Sequence, residues 1–350
     1  MYLRQLPSGS WRATVRLPDG VRRERTHKVK SIVRGWALAL EGDIASGNFV
    51  DPDRGKLTLS AWHDRWSAAR VVTEATRRQN ASVWKCHVAD QWGDRALGSI
   101  TRLEVQEWVS TLAKDYSASI THKSYTLLSS MLRAAEAERL IPASPCVRIQ
   151  LPRENKGKLR FLTKPEAARL LDELDEPYRT LVELGLHSGL RIGELTGLDV
   201  KNVDWLNKQV TVTQVMTRHE GLRDYPKTKN SRRVVPVPTH VIEAMSRLVK
   251  ANSRHAGLLF TAPEGGPIHD LLFGRRVWKP ALERAGIEHC GAHTMRHTAA
   301  SWLVQDGVDL YRVSQMLGHE SLNTTMKYAH LDPGAHDDIR AAWDRMNGVR

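Results

Sequence analysis

The stretch Leu186-His187-Ser188-Gly189-Leu190-Arg191-Ile192-Gly193-Glu194-Leu195 sets a glycine two residues ahead of an arginine and a glutamate three residues after it. Gly189 lets the chain turn tightly, and a helix opening just beyond it puts Arg191 near a helix N-terminus, where free amide groups favour an anion. Glu194 falls on the same face, so its role is to hold Arg191 rather than to exchange protons. A planar guanidinium fixed in this way can grip two oxygens of one anion.

Working outward, Thr163 and Glu166 form a capping box with Pro165 in the first turn, which opens a mostly helical region running to the C-terminus. Between Gln209 and Val237 the pattern changes to alternating Val and Thr around Lys229-Asn230-Ser231, which predicts a small antiparallel sheet inserted among the helices. Three further segments carry chemistry-bearing residues. They are Pro226–Pro236 with Lys227 and Lys229, His293-Thr294-Met295-Arg296-His297, and Leu317-Gly318-His319 followed nine positions later by Tyr328. Gly318 is expected to end one helix and Asn323-Thr324-Thr325 to start another, with His319 in the connecting turn and Tyr328 one turn into the second helix.

In this order, the anchors Arg191, Lys227, His293-x-x-Arg296, His319 and Tyr328 resemble the tyrosine recombinase (phage integrase) family across residues 160–332. The resemblance implies a catalytic domain over 161–350 in which Tyr328 attacks a DNA phosphodiester. A 3′-phosphotyrosyl intermediate forms and a 5′-hydroxyl is freed. It also implies that Arg191, Arg296, His293 and His319 grip the phosphate, and that a lysine protonates the leaving oxygen. Lys227 is preferred for that role, and Lys229 stays open because both face one side of an alternating strand. The residue chemistry agrees: an in-line displacement gathers negative charge that guanidinium forks stabilise, and a phenol with pKa near 10 needs cations or a base beside it. Because the tyrosyl ester conserves the energy of the broken bond, neither ATP nor metal is required, and no cofactor is expected. His293 and His297 have zinc-ligand spacing, but the Glu of H-E-x-x-H and a third ligand are missing from the pattern.

Upstream, residues 1–52 read as a small sheet plus helix. Trp11, Ala13 and Val15 alternate with polar residues, Pro18-Asp19-Gly20 supplies a turn, and Val33, Trp36, Ala37, Leu40 and Ile44 recur at helical spacing up to Gly47. Arg12, Arg16, Arg22, Arg23 and Arg25 are expected on the exposed sheet face as DNA contacts. Residues 56–150 read as a helical block, with Leu59, Trp62 and Trp66 on one face and a capping box at Thr101 and Glu104. Its tryptophans fall on apolar stripes and are read as core. Residues 151–160, with Arg153, Lys156, Lys158 and Arg160, read as a basic linker able to contact DNA. In the family these segments resemble an arm-binding domain and a core-binding domain that closes with the catalytic domain around the duplex. The fold class is mainly α with small β-sheets (α+β).

Composition sets the outer limits. Of 350 residues, 41% are hydrophobic and 26% charged, which excludes a disordered chain. The formal charge of +13 divides as +4, +4 and +5 over residues 1–55, 56–155 and 156–350. Every part can therefore face a polyanion. No apolar run is long enough for a membrane span or a signal-peptide core, so a cytoplasmic protein is expected. Cys86, Cys146 and Cys290 form no CxxC pair and are expected to be reduced. The expected partners are double-stranded DNA at core and arm sites and three further copies of the chain, with a host DNA-bending protein and an excision directionality factor as accessories. Two rival readings are a DNA-binding protein without strand transfer and a type IB topoisomerase. The C-terminal stretch Asp337–Met346, with Ile339, Ala342, Trp343 and Met346 at helical spacing, is expected to be a helix docked either on its own domain or on a neighbouring subunit.

Overall fold

Alternating small apolar and polar residues make Trp11–Arg16 the central strand, β2, of an antiparallel sheet completed by β1 (Tyr2–Gln5) and β3 (Arg22–His27). Ala13 and Val15 pack on Val33 and Ala37 of α1 (Lys30–Ala45). The structure, a computed structural model, describes residues 1–17, 20–46, 49–51, 53–154, 159–224, 232–251, 257–334 and 337–346, the last without the side chains of 337–339.

The strand register corrects the expectation for the arginines. Arg16 pairs with Arg22, Thr14 with Glu24, and Arg12 with both Thr26 and Arg4, so these residues share the outer face. Arg23 and Arg25 stand opposite Val15 and Ala13 instead, because adjacent strand residues point to opposite faces. Arg23 bonds Asp51 and Asp53, whereas Arg12 pairs with Glu24 across the outer face at 3.1 Å.

The chain forms two compact units, Met1–Lys156 and Gly157–Arg350. The first also holds α2 (Leu59–Ala69), α3 (Glu74–Val83), α4 (Ala89–Trp92), α5 (Arg102–Asp115) and α6 (Ala118–Ala137), with a π-helical turn at Trp84–Val88 between α3 and α4. Thr58, Thr73, Thr101 and Ser117 cap their helices through side-chain oxygens, and Thr101 with Glu104 forms the full capping box. Trp62, Trp92 and Trp108 are buried among Leu59, Val105, Leu128 and Met131. Trp62 Nε1 donates to the Met131 carbonyl at 2.9 Å, so these rings are core.

The second unit opens with α7 (Lys164–Asp172), capped by Thr163 and Glu166, then α8 (Tyr178–Ser188) and the short α9 (Ile192–Thr196). The strands that follow form two sheets rather than one. β4 (Val203–Asp204), β5 (Gln209–Val212) and β8 (Arg233–Pro236) make the first, while β6 (Gln214–Thr217) and β7 (Gly221–Asp224) make a separate ribbon. After α10 (Thr239–Ala251) come α11 (Asp270–Leu272), a π-helical turn, α12 (Lys279–Arg284), α13 (Thr294–Gln305), α14 (Leu310–Leu317) and α15 (Asp337–Met346). α8 packs on α13 within the main core, and a smaller core of Ala300, Val304, Val313, Leu317 and Tyr328 lies under α13 and α14. Trp343 and Met346 of α15 are exposed. All three cysteines are free, and among the described residues no helix is long and apolar enough to cross a membrane.

Candidate active site

Gly189 ends α8 in the left-handed region at φ +64°, and a β-carbon there would lie 2.5 Å from Leu317 Cδ2. The left-handed turn is what favours glycine, and a larger residue would also push the Leu317 side chain of α14 aside. The turn makes Arg191 the N-cap of α9, as the spacing predicts. Its amide N–H donates to Glu194 Oε2 at 2.8 Å and its Nη1 to Glu194 Oε1 at 3.0 Å. Glu194 is buried and receives a second guanidinium, since Arg233 Nη1 and Nη2 donate to its two oxygens at 3.1 and 2.7 Å. Arg233 Nε also donates to the Met316 carbonyl at 2.8 Å. A buried carboxylate is tolerated only when paired in this way. The result ties β8 and the end of α14 to Arg191, whose own side chain stays 43% exposed.

Arg296, two residues into α13 from its first residue, is 2% exposed. Its Nη1 donates to the Gly189 carbonyl at 2.9 Å and its Nη2 to the Leu317 carbonyl at 2.7 Å. The first lies two residues before Arg191 and the second two before His319, so one guanidinium sets the spacing of the other anchors. Burial, and then the charge of Arg191, lowers its pKa to about 10, which leaves it a cation at neutral pH. His293 is the N-cap of α13; although the residue keeps an exposed edge, partial desolvation of its ring and then the charge of Arg296 lower its pKa. Gly318 closes α14 at φ +67°, and His319 follows with Nδ1 2.8 Å from the hydroxyl of the buried Thr325. Burial, followed by the charge of Arg296, takes the His319 pKa down to about 4.

Tyr328 lies in a 3-10 turn, Met326–Leu331, preceded by a second at Leu322–Thr324, in place of the expected helix. The phenol is 1% exposed, packed in the small core, and its Oη sits 2.6 Å from His297 Nδ1. Burial pushes its pKa up to about 12, and the opposing pull of Arg296 is the smaller effect. The expectation that surrounding cations favour phenolate is thus reversed here, because desolvation outweighs the charge. His297 is lowered to about 4 by burial and then by Lys327. The Lys327 ammonium lies 5.1 Å from the centre of the Tyr328 ring, and although the residue is exposed, partial desolvation and then the charge of Arg296 lower its pKa.

The structure therefore brings Arg191, His293, Arg296, His319 and Tyr328 into one neighbourhood, in which Arg296 acts on His293, His319 and Tyr328, and Arg191 acts on Arg296. Lys227 and Lys229 lie outside the described residues, as do Lys156 and Lys158 of the basic segment. Arg153 is exposed, while Arg160 pairs with Glu166 at 2.6 Å. Three residues of the site carry no role in the sequence reading: His297, Arg233 and Lys327. The spacing of His297 from His293 was the available signal for the first. Arg233 had only its place beside the lysines, and Lys327 only its place beside Tyr328. Among the described residues no group of His, Cys, Asp and Glu is arranged to hold a metal ion.

Residues 160–334 match the model of the phage integrase family. The putative prophage phiRv2 integrase of Mycobacterium tuberculosis is 26% identical over 98% of this chain and 95% of its own length. The tyrosine recombinase XerC of Corynebacterium efficiens is 31% identical over 63% of this chain and 67% of its own. Among solved structures, the Tn1549 transposon integrase in complex with a circular intermediate DNA has the same fold, with a TM-score of 0.72, 20% identity and coverage of 83% of this chain and 99% of that one. By its sequence, its fold and the match over residues 160–334, this chain belongs to the phage integrase family of tyrosine recombinases.

Proposed function

We propose that this chain is a site-specific DNA integrase that cuts and rejoins strands through a Tyr328 phosphotyrosyl ester, inserting a phage or other mobile element and, with accessory factors, excising it. The observation that carries the reading is the convergence of two guanidiniums and two imidazoles from α9, α13 and the turn after α14 on the neighbourhood of one phenol. Arg191 and Arg296 are the groups suited to the non-bridging oxygens, since guanidinium geometry matches a phosphate and its charge does not titrate away. His293 and His319 act as neutral hydrogen-bond donors to the same phosphate, in keeping with their lowered pKa. Lys227 protonates the leaving 5′-oxygen.

In this reading residues 1–52 bind arm sites, mainly through Arg12, Arg16 and Arg22 on the outer sheet face. Residues 56–150 bind the core site, 151–160 link the two parts, and 161–350 carry the chemistry. Four copies act together on paired sites in the host cytosol, where a host DNA-bending protein and an excision directionality factor assist.

The test is covalent trapping on a suicide duplex whose cleaved 5′ end diffuses away. Wild type is expected to accumulate a protein–DNA adduct, with Tyr328→Phe forming none while binding the same DNA. Binding without adduct by wild type would leave a DNA-binding protein, and supercoil relaxation without recombinants on site-free DNA would indicate a topoisomerase.

A further inference from the structure

We propose that His297 is a catalytic residue of this site: its Nδ1, in hydrogen-bond contact with Tyr328 Oη, takes the phenolic proton as that oxygen bonds to phosphorus. The proposal rests on the recombinase reading above and adds a group to it.

The geometry limits the candidates. Tyr328 is almost wholly buried, and a buried phenol O–H must find an acceptor. Among the described residues, His297 Nδ1 at 2.6 Å is the side-chain atom that bonds it. The other ionisable groups nearby are poorly suited. Arg296 is a cation with only protons to give, and two of its nitrogens are held by carbonyls. Lys327 lies over the ring face rather than beside the hydroxyl. His319 turns its Nδ1 to Thr325, and His293 meets His297 edge-on with ring centres 4.8 Å apart. His297 itself sits on α13 one residue after Arg296, so the helix that places the phosphate-gripping guanidinium also places the acceptor. Burial and the neighbouring cations keep the imidazole neutral, which leaves Nδ1 free to accept and puts the ring proton on Nε2.

The proton balance closes. The Oη–H bond breaks, its proton moves to Nδ1, and neutral His297 becomes an imidazolium. Oη supplies the electron pair of the new Oη–P bond. The P–O5′ bond breaks, its electron pair leaves on the 5′-oxygen, and that oxygen takes a proton from the general acid, assigned above to Lys227. In the rejoining half the 5′-hydroxyl attacks, the Oη–P bond breaks, and the imidazolium returns its proton to Oη. Transfer in step with P–O bond formation avoids a free phenolate, which this pocket disfavours. The entering phosphodiester anion offsets the cations that hold His297 neutral.

The experiment uses the full chain on the suicide duplex, with single-turnover cleavage and DNA affinity measured separately. His297→Phe is expected to cleave about 100-fold more slowly with unchanged Kd, the scale typical of losing a general base. A trifluorinated tyrosine introduced at position 328 ionises far more readily, so it should restore most of the rate to His297→Phe and none to Arg191→Ala. His297→Gln, which keeps a hydrogen-bonding amide but no base, is the second variant should the first fail to fold. It is expected to be slow and to be rescued in the same way. Cleavage by either His297 variant at or above the wild-type rate, or slow cleavage that the fluorinated residue leaves unrepaired, overturns the proposal. Failure of the recombinase reading is separate, since wild type would then form no adduct at all.

Discussion

Arg233→Met takes away one of the two guanidiniums that neutralise Glu194, together with the bond from Arg233 Nε to the Met316 carbonyl. Breaking a buried ion pair by deleting one partner costs about 3–5 kcal/mol when nothing else compensates. Glu194 keeps the Arg191 guanidinium and amide, which are two of its bonds, so roughly half of that penalty, about 2 kcal/mol, is expected for this variant. For a unit of this size such a loss lowers Tm by about 4–8 °C. Glu194→Gln in the same chain removes the stranded charge, so the double variant should recover part of the loss. The assay is thermal and urea unfolding of the wild type, both single variants and the double, read as a cycle. A cost below about 0.5 kcal/mol for Arg233→Met, or strict additivity in the double variant, would refute the view that Glu194 is held by two cations acting together.

Stability should also fall with acid through two half-buried histidines. Their folded pKa values lie at about 4 for His297 and His319, below the ordinary value near 6.5. The unfolded chain therefore binds protons first, and the stabilisation is complete above that ordinary value and is lost as pH drops towards 4. A double His297→Gln, His319→Gln variant should show a flatter Tm between pH 7 and 4.5, and parallel curves would contradict the assignment. For the lysines, a DNA substrate with a sulfur at the 5′-bridging position, whose leaving group needs little protonation, should restore cleavage to Lys227→Ala but not to Arg191→Ala. Rescue of Lys229→Ala instead would move the general acid by two residues.

The helices and caps were legible because their signals are local. Thr101 with Glu104 and Thr163 with Glu166 cap as read, and Gly189 and Gly318 take the left-handed turns that place Arg191 and His319. What was not legible depends on partners far along the chain. His297 meets Tyr328 across thirty-one positions, and Arg233 reaches Glu194 and Met316 across thirty-nine and eighty-three. The strand between Gln209 and Thr217 reads as continuous alternation, yet it divides at Thr213, with one half pairing β8 and the other β7. The face taken by Arg23 and Arg25 is a different case, because parity along the strand alone separates them from Arg22. The opposite direction of the Tyr328 pKa followed from burial, which the sequence pattern around a lone tyrosine does not announce.

The 3-10 form of the segment bearing Tyr328 has a mechanical consequence. Such turns bond less well than α-helix and seldom run far, so their backbone can be re-threaded residue by residue without unwinding a long ladder. In the reaction proposed for Tyr328, the esterified ring is the tether of a severed DNA end, and the slack of that tether is the few residues between the His319 anchorage and Leu331. On that proposal, the length of two short turns sets how far a captured end can travel before resealing.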